Sequence, residues 1–164
     1  MNTHFMSLSD RLPDSRLYGF VVESNRIENI HRDPTDQELQ AHDKILGLKE
    51  LTVKDLEEFV AAIAGVSLRR NPGQNVIVGG HMPPSGGPDI EPMLKILLID
   101  IMTGELGPYE AHQRYEQLHP FMDGNGRSGR VLWAWRMRQE GQDPFALSFL
   151  HRWYYQSLDA QRRG

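Results

Sequence analysis

One short segment, HPFMDGNGRSGR at residues 119–130, holds most of the side chains that could do chemistry. His119 supplies an imidazole, which is largely neutral and basic at neutral pH because its unperturbed pKa is about 6.5. Gly124 and Gly126 allow backbone turns that other residues resist. Main-chain N–H groups there, and at the start of the helix that follows, can therefore surround an anion. The segment predicts a histidine beside a phosphate-binding loop.

Two arginines and one aspartate favour a polyphosphate as that anion. Arg127 and Arg130 are three residues apart in the first turn of the predicted helix, hence on one side of it. Cations at a helix start oppose the helix dipole by about 0.3–1 kcal/mol each, so they need an anion between them and the amides. Asp123 adds a hard oxygen ligand for Mg²⁺, which usually binds through one or two carboxylates plus substrate phosphates.

Other phosphate and metal motifs do not fit this segment. The chain has no Gly-Lys pair, which excludes a Walker loop. Read as a calcium loop that begins at Asp123, the fifth, sixth and twelfth positions would be Arg127, Ser128 and Ala134, which are all wrong for an EF-hand. No His-Glu-x-x-His zinc motif is present.

The segment resembles the signature of the Fic family, which reads His-x-Phe-x-Asp/Glu-Gly-Asn-Gly-Arg-x-x-Arg. Every specified position matches in HPFMDGNGR followed by Arg130, and the resemblance extends over roughly residues 18–140. It implies that His119 is the general base for a target hydroxyl, that Phe121 anchors the loop and that Asp123 holds Mg²⁺. It also implies phosphate contacts from the rest of the signature: Gly124, Asn125, Gly126, Arg127 and, for the γ-phosphate, Arg130.

The activity implied by the resemblance is transfer of AMP from ATP to a Ser, Thr or Tyr hydroxyl of a target protein. Doc proteins, which are related and kinase-like, carry Lys where this chain has Gly126, so nucleotidyl transfer is favoured over phosphoryl transfer. Two alternatives stay open. The domain could bind nucleotide without turnover, or it could transfer UMP or another phosphate-containing group.

A second motif predicts an internal brake on this activity. Ser24, Glu28 and Asn29 match the Fic inhibitory motif Ser/Thr-x-x-x-Glu-Gly/Asn. The resemblance implies that Glu28 pairs with Arg130 and occupies the γ-phosphate site. Ser24 and Glu28 are four residues apart, so both can face the active site from one helix. An ordinary ion pair of Glu28, and its use in positioning water for AMP removal, both stay open.

The elements that position these residues are predicted to be mainly helical. Apolar spacing, caps and glycine stops favour one domain over residues 1–164, of the all-α Fic class with a short β-hairpin flap. A β-branched run at residues 76–78 predicts one strand of that flap, which spans about 72–88. The almost wholly apolar helix at 90–102 is expected at the centre of the core. The predicted helices span residues 15–30, 35–47, 52–65, 90–102, 109–118, 127–140 and 143–158.

Composition limits the remaining possibilities. The net charge of −4, with 24% charged residues, argues against a general nucleic-acid binder. The chain has no cysteine, which excludes disulfides and thiolate metal sites. No apolar stretch reaches the roughly 18 residues of a membrane span and no leader is evident, so we expect a cytoplasmic protein. A homo-oligomer remains an open expectation.

Overall fold

A computed structural model describes residues 15–146 of the chain. These residues form six α-helices: α1 (Ser15–Ile27), α2 (Asp36–Leu46), α3 (Val53–Ala64), α4 (Ile90–Thr103), α5 (Pro108–Leu118) and α6 (Asn125–Gln139). The mainly helical prediction is confirmed. The predicted helix at 143–158 lies largely outside the described residues, as do both ends of the predicted domain.

Local sequence signals set several helix boundaries. Thr35 caps α2 and Thr52 caps α3, each in a reciprocal capping box with the residue three positions on, Glu38 and Asp55. Such boxes satisfy main-chain N–H groups that a helix start otherwise leaves unpaired. Gly65 ends α3 in the left-handed conformation that glycine adopts without strain. The predicted box of Thr35 with Glu38 is therefore present.

The centre of the core is α6, which packs against α1, α2, α3 and α5. Its residues 127–135 are all buried, so apolar and polar side chains are enclosed on every face. The prediction that the apolar helix α4 is central is wrong. That helix buries one face against α3 and α5, whereas Met93, Ile96 and Ile99 are exposed on the other.

The predicted β-hairpin flap is not confirmed. The described chain between α3 and α4 contains only isolated antiparallel bridges, one from Leu68 to Phe121 and one from Val78 to His81 across the turn at Gly79 and Gly80. A β-branched run needs a paired neighbour to become a strand. Across this turn, the described chain has one bridged pair, Val78 with His81, and no further pair extends it into two strands.

The first helix is shorter than the predicted 15–30, because α1 ends at Ile27. Asn29 adopts a left-handed conformation with φ of 61°, and the main-chain N–H of Ile30 donates a hydrogen bond to the carbonyl of Asn25. Glu28 therefore lies in the turn that ends α1 rather than on a continuing helix. Within the described residues, no helix is long and apolar enough to cross a membrane.

Candidate active site

The signature segment forms a bend between α5 and α6. His119 ends α5 in the left-handed region, with φ of 48° and ψ of 61°. Phe121 is fully buried and bridges to Leu68. The N–H of Arg69 donates to the carbonyl of Pro120 over 3.0 Å. Non-glycine residues with positive φ are uncommon and persist where the surroundings hold them, so the histidine is placed by the packing on both sides of it.

Asn125 clamps this bend from inside. Its side-chain oxygen accepts from the N–H of Phe121 over 2.9 Å, and its side-chain nitrogen donates to the carbonyl of Phe121 over 2.7 Å. The side chain is 2% exposed. The predicted contact of Asn125 with phosphate therefore falls to its main-chain N–H, because its amide group is engaged with the loop.

The start of α6 has the geometry of an anion-binding site. Gly124 is the N-cap residue with φ of 77°, and no side chain caps the helix. The first N–H groups of an α-helix have no carbonyl partner within it, and here they belong to Asn125, Gly126 and Arg127. Gly124 is glycine for a further reason, because a Cβ there would lie 3.1 Å from the Cβ of Ala64.

The carboxylate of Glu28 lies directly over this helix start. A Cβ built on Gly126 would come within 2.1 Å of Glu28 Oε1, so the carboxylate touches the helix where a side chain would otherwise be. A negative group at a helix N-terminus is stabilised by the dipole and by the free N–H groups. Glu28 thus stands where the sequence predicts a phosphate.

Arg130 joins this carboxylate to α1. Its guanidinium is 2% exposed. Nη2 lies 2.7 Å from Glu28 Oε1 and 2.9 Å from the carbonyl oxygen of Ser24, and Nε donates to Ser24 Oγ over 2.8 Å. Two of the three residues of the predicted inhibitory motif therefore contact Arg130. The third, Asn29, forms the turn that carries Glu28.

Arg127 is used differently from Arg130. Its side chain is 4% exposed, and Nη1 donates to the carbonyl of Ile63 at the end of α3 over 2.9 Å. Burial lowers its pKa, while the carboxylates of Asp123 and Glu28 act in the opposite direction. At least one donor of Arg127 is therefore committed to holding α6 against α3, a structural role that the sequence did not indicate.

Asp123 is the predicted Mg²⁺ ligand, and its surroundings fit that role. The residue is exposed, and Oδ1 accepts from the N–H of Gly124 over 2.7 Å. It stands beside the uncapped start of α6, where phosphates would lie. Mg²⁺ commonly takes one or two carboxylates and completes its shell with phosphate and water. Among residues 15–146 there is no cluster of three or more metal-binding side chains.

His119 is partly buried in surroundings that favour a neutral imidazole. Its side chain is 17% exposed, and Nδ1 lies 3.3 Å from the carbonyl oxygen of Glu116. A carbonyl can only accept, so Nδ1 carries the hydrogen, and Nε2 keeps a lone pair in the neutral ring. Burial lowers the pKa of His119, with a smaller contribution in the same direction from the Arg69 guanidinium.

Arg69 is a residue that sequence reasoning missed. It is fully buried and donates to four main-chain carbonyls, two in the signature region and two in the segment before α4: His119, Leu118, Gln74 and Pro84. It ties these two segments together behind the histidine. No sequence signal separates it from its neighbour Arg70, which pairs with Glu57 and Glu91 instead. His81 also has a structural contact, since Nε2 lies 2.9 Å from the carbonyl of Gln117.

The fold and site together define a helical domain with a histidine beside a glycine-lined anion site. Residues 100–136 match the model of the Fic/DOC family. Proteins named protein adenylyltransferase Fic from Drosophila willistoni and Drosophila persimilis are 32% identical over 130 residues, which is 70% of this chain and 25% of each relative. The protein of that name from Drosophila virilis has the same identity over 26% of its length.

The chain therefore spans about a quarter of the length of the curated relatives it matches. Among solved structures, a Fic domain containing signaling protein from Bacteroides thetaiotaomicron VPI-5482 aligns with a TM-score of 0.48 and 20% identity, over 73% of this chain and 56% of that one. The match at residues 100–136 and the relatives together show that the chain carries a Fic domain.

Proposed function

We propose that this chain is a protein adenylyltransferase, which transfers AMP from ATP to a Ser, Thr or Tyr hydroxyl of a target protein and is restrained by Glu28. One observation carries the proposal. The Glu28 carboxylate contacts both Arg130 and the glycine at the start of α6, in the same bend that presents His119. An internal anion on that spot marks it as a place built for a negative ligand.

The transfer follows from what each group can do. Nε2 of His119 takes the proton of the target hydroxyl while its oxygen forms a bond to the α-phosphorus of ATP. The bond from that phosphorus to the bridging oxygen breaks, and pyrophosphate leaves with the electron pair. The N–H groups of Asn125, Gly126 and Arg127 stabilise charge on the phosphates. Mg²⁺ held by Asp123 would neutralise charge on the leaving group.

The restraint is a competition for Arg130. A γ-phosphate and the Glu28 carboxylate are both negative, so they cannot share the guanidinium at close range without repulsion. The Ser24 hydroxyl contacts Nε of Arg130, whereas the carboxylate contacts Nη2, so the two do not compete for the same nitrogen. ATP bound beside Glu28 would be displaced from the position that aligns its α-phosphorus with His119.

Labelled ATP tests both parts of the proposal. Glu28→Gly should label protein in the presence of Mg²⁺ more strongly than the wild type, and Glu28→Gly combined with His119→Ala should label none. Glu50→Gly, which removes an exposed carboxylate elsewhere, is the matched control and should behave as the wild type. Label that persists without His119 would remove the proposed base.

The same experiment separates the alternatives. ATP binding without transfer by Glu28→Gly would identify a silent nucleotide-binding domain. Competition by UTP or other nucleotides against labelled ATP would show whether adenine is preferred. Loss of label from modified protein on addition of the wild type, but not of Glu28→Gly, would show that Glu28 supports AMP removal.

A further inference from the structure

A buried carboxyl group outside the signature lies next to the proposed base. Glu116 is on α5, one turn before His119, and its side chain is 15% exposed. Oε2 is 3.7 Å from Nδ1 of His119. Oε1 is buried and has no hydrogen-bond partner among the described residues. A buried carboxyl oxygen without a partner is costly, so its retention points to a use.

The chain makes room for this carboxyl group at Gly129. A Cβ on Gly129 would lie 2.7 Å from Oε1 of Glu116 and 3.0 Å from Nδ1 of His112. Helices α5 and α6 can therefore enclose Glu116 only because residue 129 has no side chain. Gly129 is one of the two unspecified positions between the signature arginines, so the family signature does not require glycine there.

The charged and titratable groups around Glu116 come from four places in the fold. His112 shares its helix, His119 follows it, Arg130 faces it from α6, and Glu28 faces it from the turn after α1. Burial raises the pKa of Glu116 to about 7, with Arg130 acting to lower it and Glu28 to raise it. The group thus ionises in the neutral range, where the base must work.

We propose that Glu116 is a positioning residue for His119: its main-chain carbonyl accepts the hydrogen of Nδ1, and its carboxylate, 3.7 Å from Nδ1, stabilises the imidazolium formed in the reaction. The main-chain carbonyl of Glu116 already fixes the tautomer. The carboxylate adds a negative charge on the same side of the ring. When Nε2 gains the hydroxyl proton the ring becomes positive, and an anion close to Nδ1 then lowers the barrier. This role in transfer rests on the proposed function above.

Glu116→Gln tests the proposal, because it keeps the shape and removes the charge. In the Glu28→Gly background, kcat for transfer should rise as pH increases through the pKa of Glu116, which is lower there than in the wild type because the Glu28 charge that raises it is gone. With Glu116→Gln added, this rise should disappear and kcat at pH 8 should fall at least about tenfold, less than the roughly 10²–10⁴-fold contribution of the base itself. KM for ATP should change much less than kcat, since Glu116 faces Arg130 but does not contact the anion site at the start of α6. Glu110→Gln, which removes an exposed carboxylate from the same helix, should leave both unchanged.

NMR of the histidine ring gives a readout that does not depend on transfer. In labelled protein without nucleotide, the His119 signals should show one inflection near pH 7 from the ionisation of Glu116 and a second at lower pH from the ring. Glu116→Gln should abolish only the first. If the inflection near pH 7 survives in this variant, or if kcat keeps its pH dependence, the proposal is wrong. Failure of Glu28→Gly to transfer any nucleotide would instead overturn the proposed function, and the NMR result would still decide whether Glu116 acts on the ring.

Discussion

At Gly126, the lack of a side chain determines how closely Glu28 can approach α6. The carboxylate oxygen lies where a Cβ would be, at 2.1 Å from its ideal position. The same space would have to accept a phosphate when Glu28 moves away. Under the proposed function, one glycine serves the restrained and the active arrangement alike, since both require bare backbone at this point.

Gly126→Ala should therefore impair nucleotide binding even when the restraint is removed. With Glu28 present, the added methyl group would only displace the end of the flexible Glu28 side chain. In the Glu28→Gly background it would collide with the bound phosphate instead. We expect ATP to bind at least about tenfold more weakly, a loss of roughly 1.4 kcal/mol, by calorimetry in that background. Gly19→Ala is the matched control, because nothing lies within 4 Å of its Cβ position. Equal affinity in the two variants would show that phosphate binds elsewhere.

Individual residues of the site were predictable to different degrees. The spacing of His119, Asp123 and the glycines follows from local chemistry, because a bend and a helix start form from neighbouring residues. The hydrogen bond of Arg127 to Ile63 is not predictable in this way, since its partner is 64 positions away and is a main-chain carbonyl. Glu116 could have been found, because it precedes His119 by three residues on a predicted helix.

At the scale of elements, the bend between α5 and α6 depends on the Asn125 clamp. Asn125→Ala leaves the N–H and C=O of buried Phe121 without partners. An unsatisfied buried polar group costs about 1–3 kcal/mol, so the loss of both partners should lower the free energy of unfolding by roughly 2–6 kcal/mol in urea denaturation. Asn75→Ala is the control. The side chain of Asn75 also accepts a hydrogen bond from a main-chain N–H, but it is exposed, so water can take over that hydrogen bond. A similar loss in both variants would exclude the clamp.

The helices were predicted more accurately than the segments between them and the way the helices pack. Capping boxes and glycine stops are local, and they set the starts of α2 and α3 and the end of α3. The hairpin was not confirmed, and the predicted central position of α4 in the core was wrong. Both features depend on which distant segments pack against these residues. Val76 to Val78 found no partner strand, and the outer face of α4 stayed exposed despite its apolar residues. The central helix α6 was harder to recognise, since Arg127, Ser128 and Arg130 are buried in it.

Across the whole molecule, two buried histidines on different helices are held in neutral form. Burial lowers the pKa of His42 on α2 and of His112 on α5 to about 4. His42 also feels the positive charges of Arg127 and Arg130, which act in the same direction. A neutral ring beside two buried arginines avoids adding a third positive charge to the interior. The stability of the domain is therefore linked to pH through groups that support the site.

The sign of this linkage gives a prediction for the whole domain. Between about pH 6.5 and 4 the unfolded chain binds a proton at His42 that the folded state refuses, so the free energy of unfolding falls as pH falls through that range. At pH 5 the loss should be roughly 1–2 kcal/mol for this histidine. His42→Phe should remove that share, because the ring already packs edge-on against Phe20 and Phe59. The measurement is urea denaturation of both proteins at pH 7.5 and 5.

Glu116, whose raised pKa favours the folded state at the lower pH, contributes equally to both proteins and cancels in the comparison. His31→Ala, at an exposed position, should keep the wild-type difference. If His42→Phe also keeps it, the acid sensitivity arises elsewhere, and the neutral ring is not what separates α2 from the charge of Arg127 and Arg130.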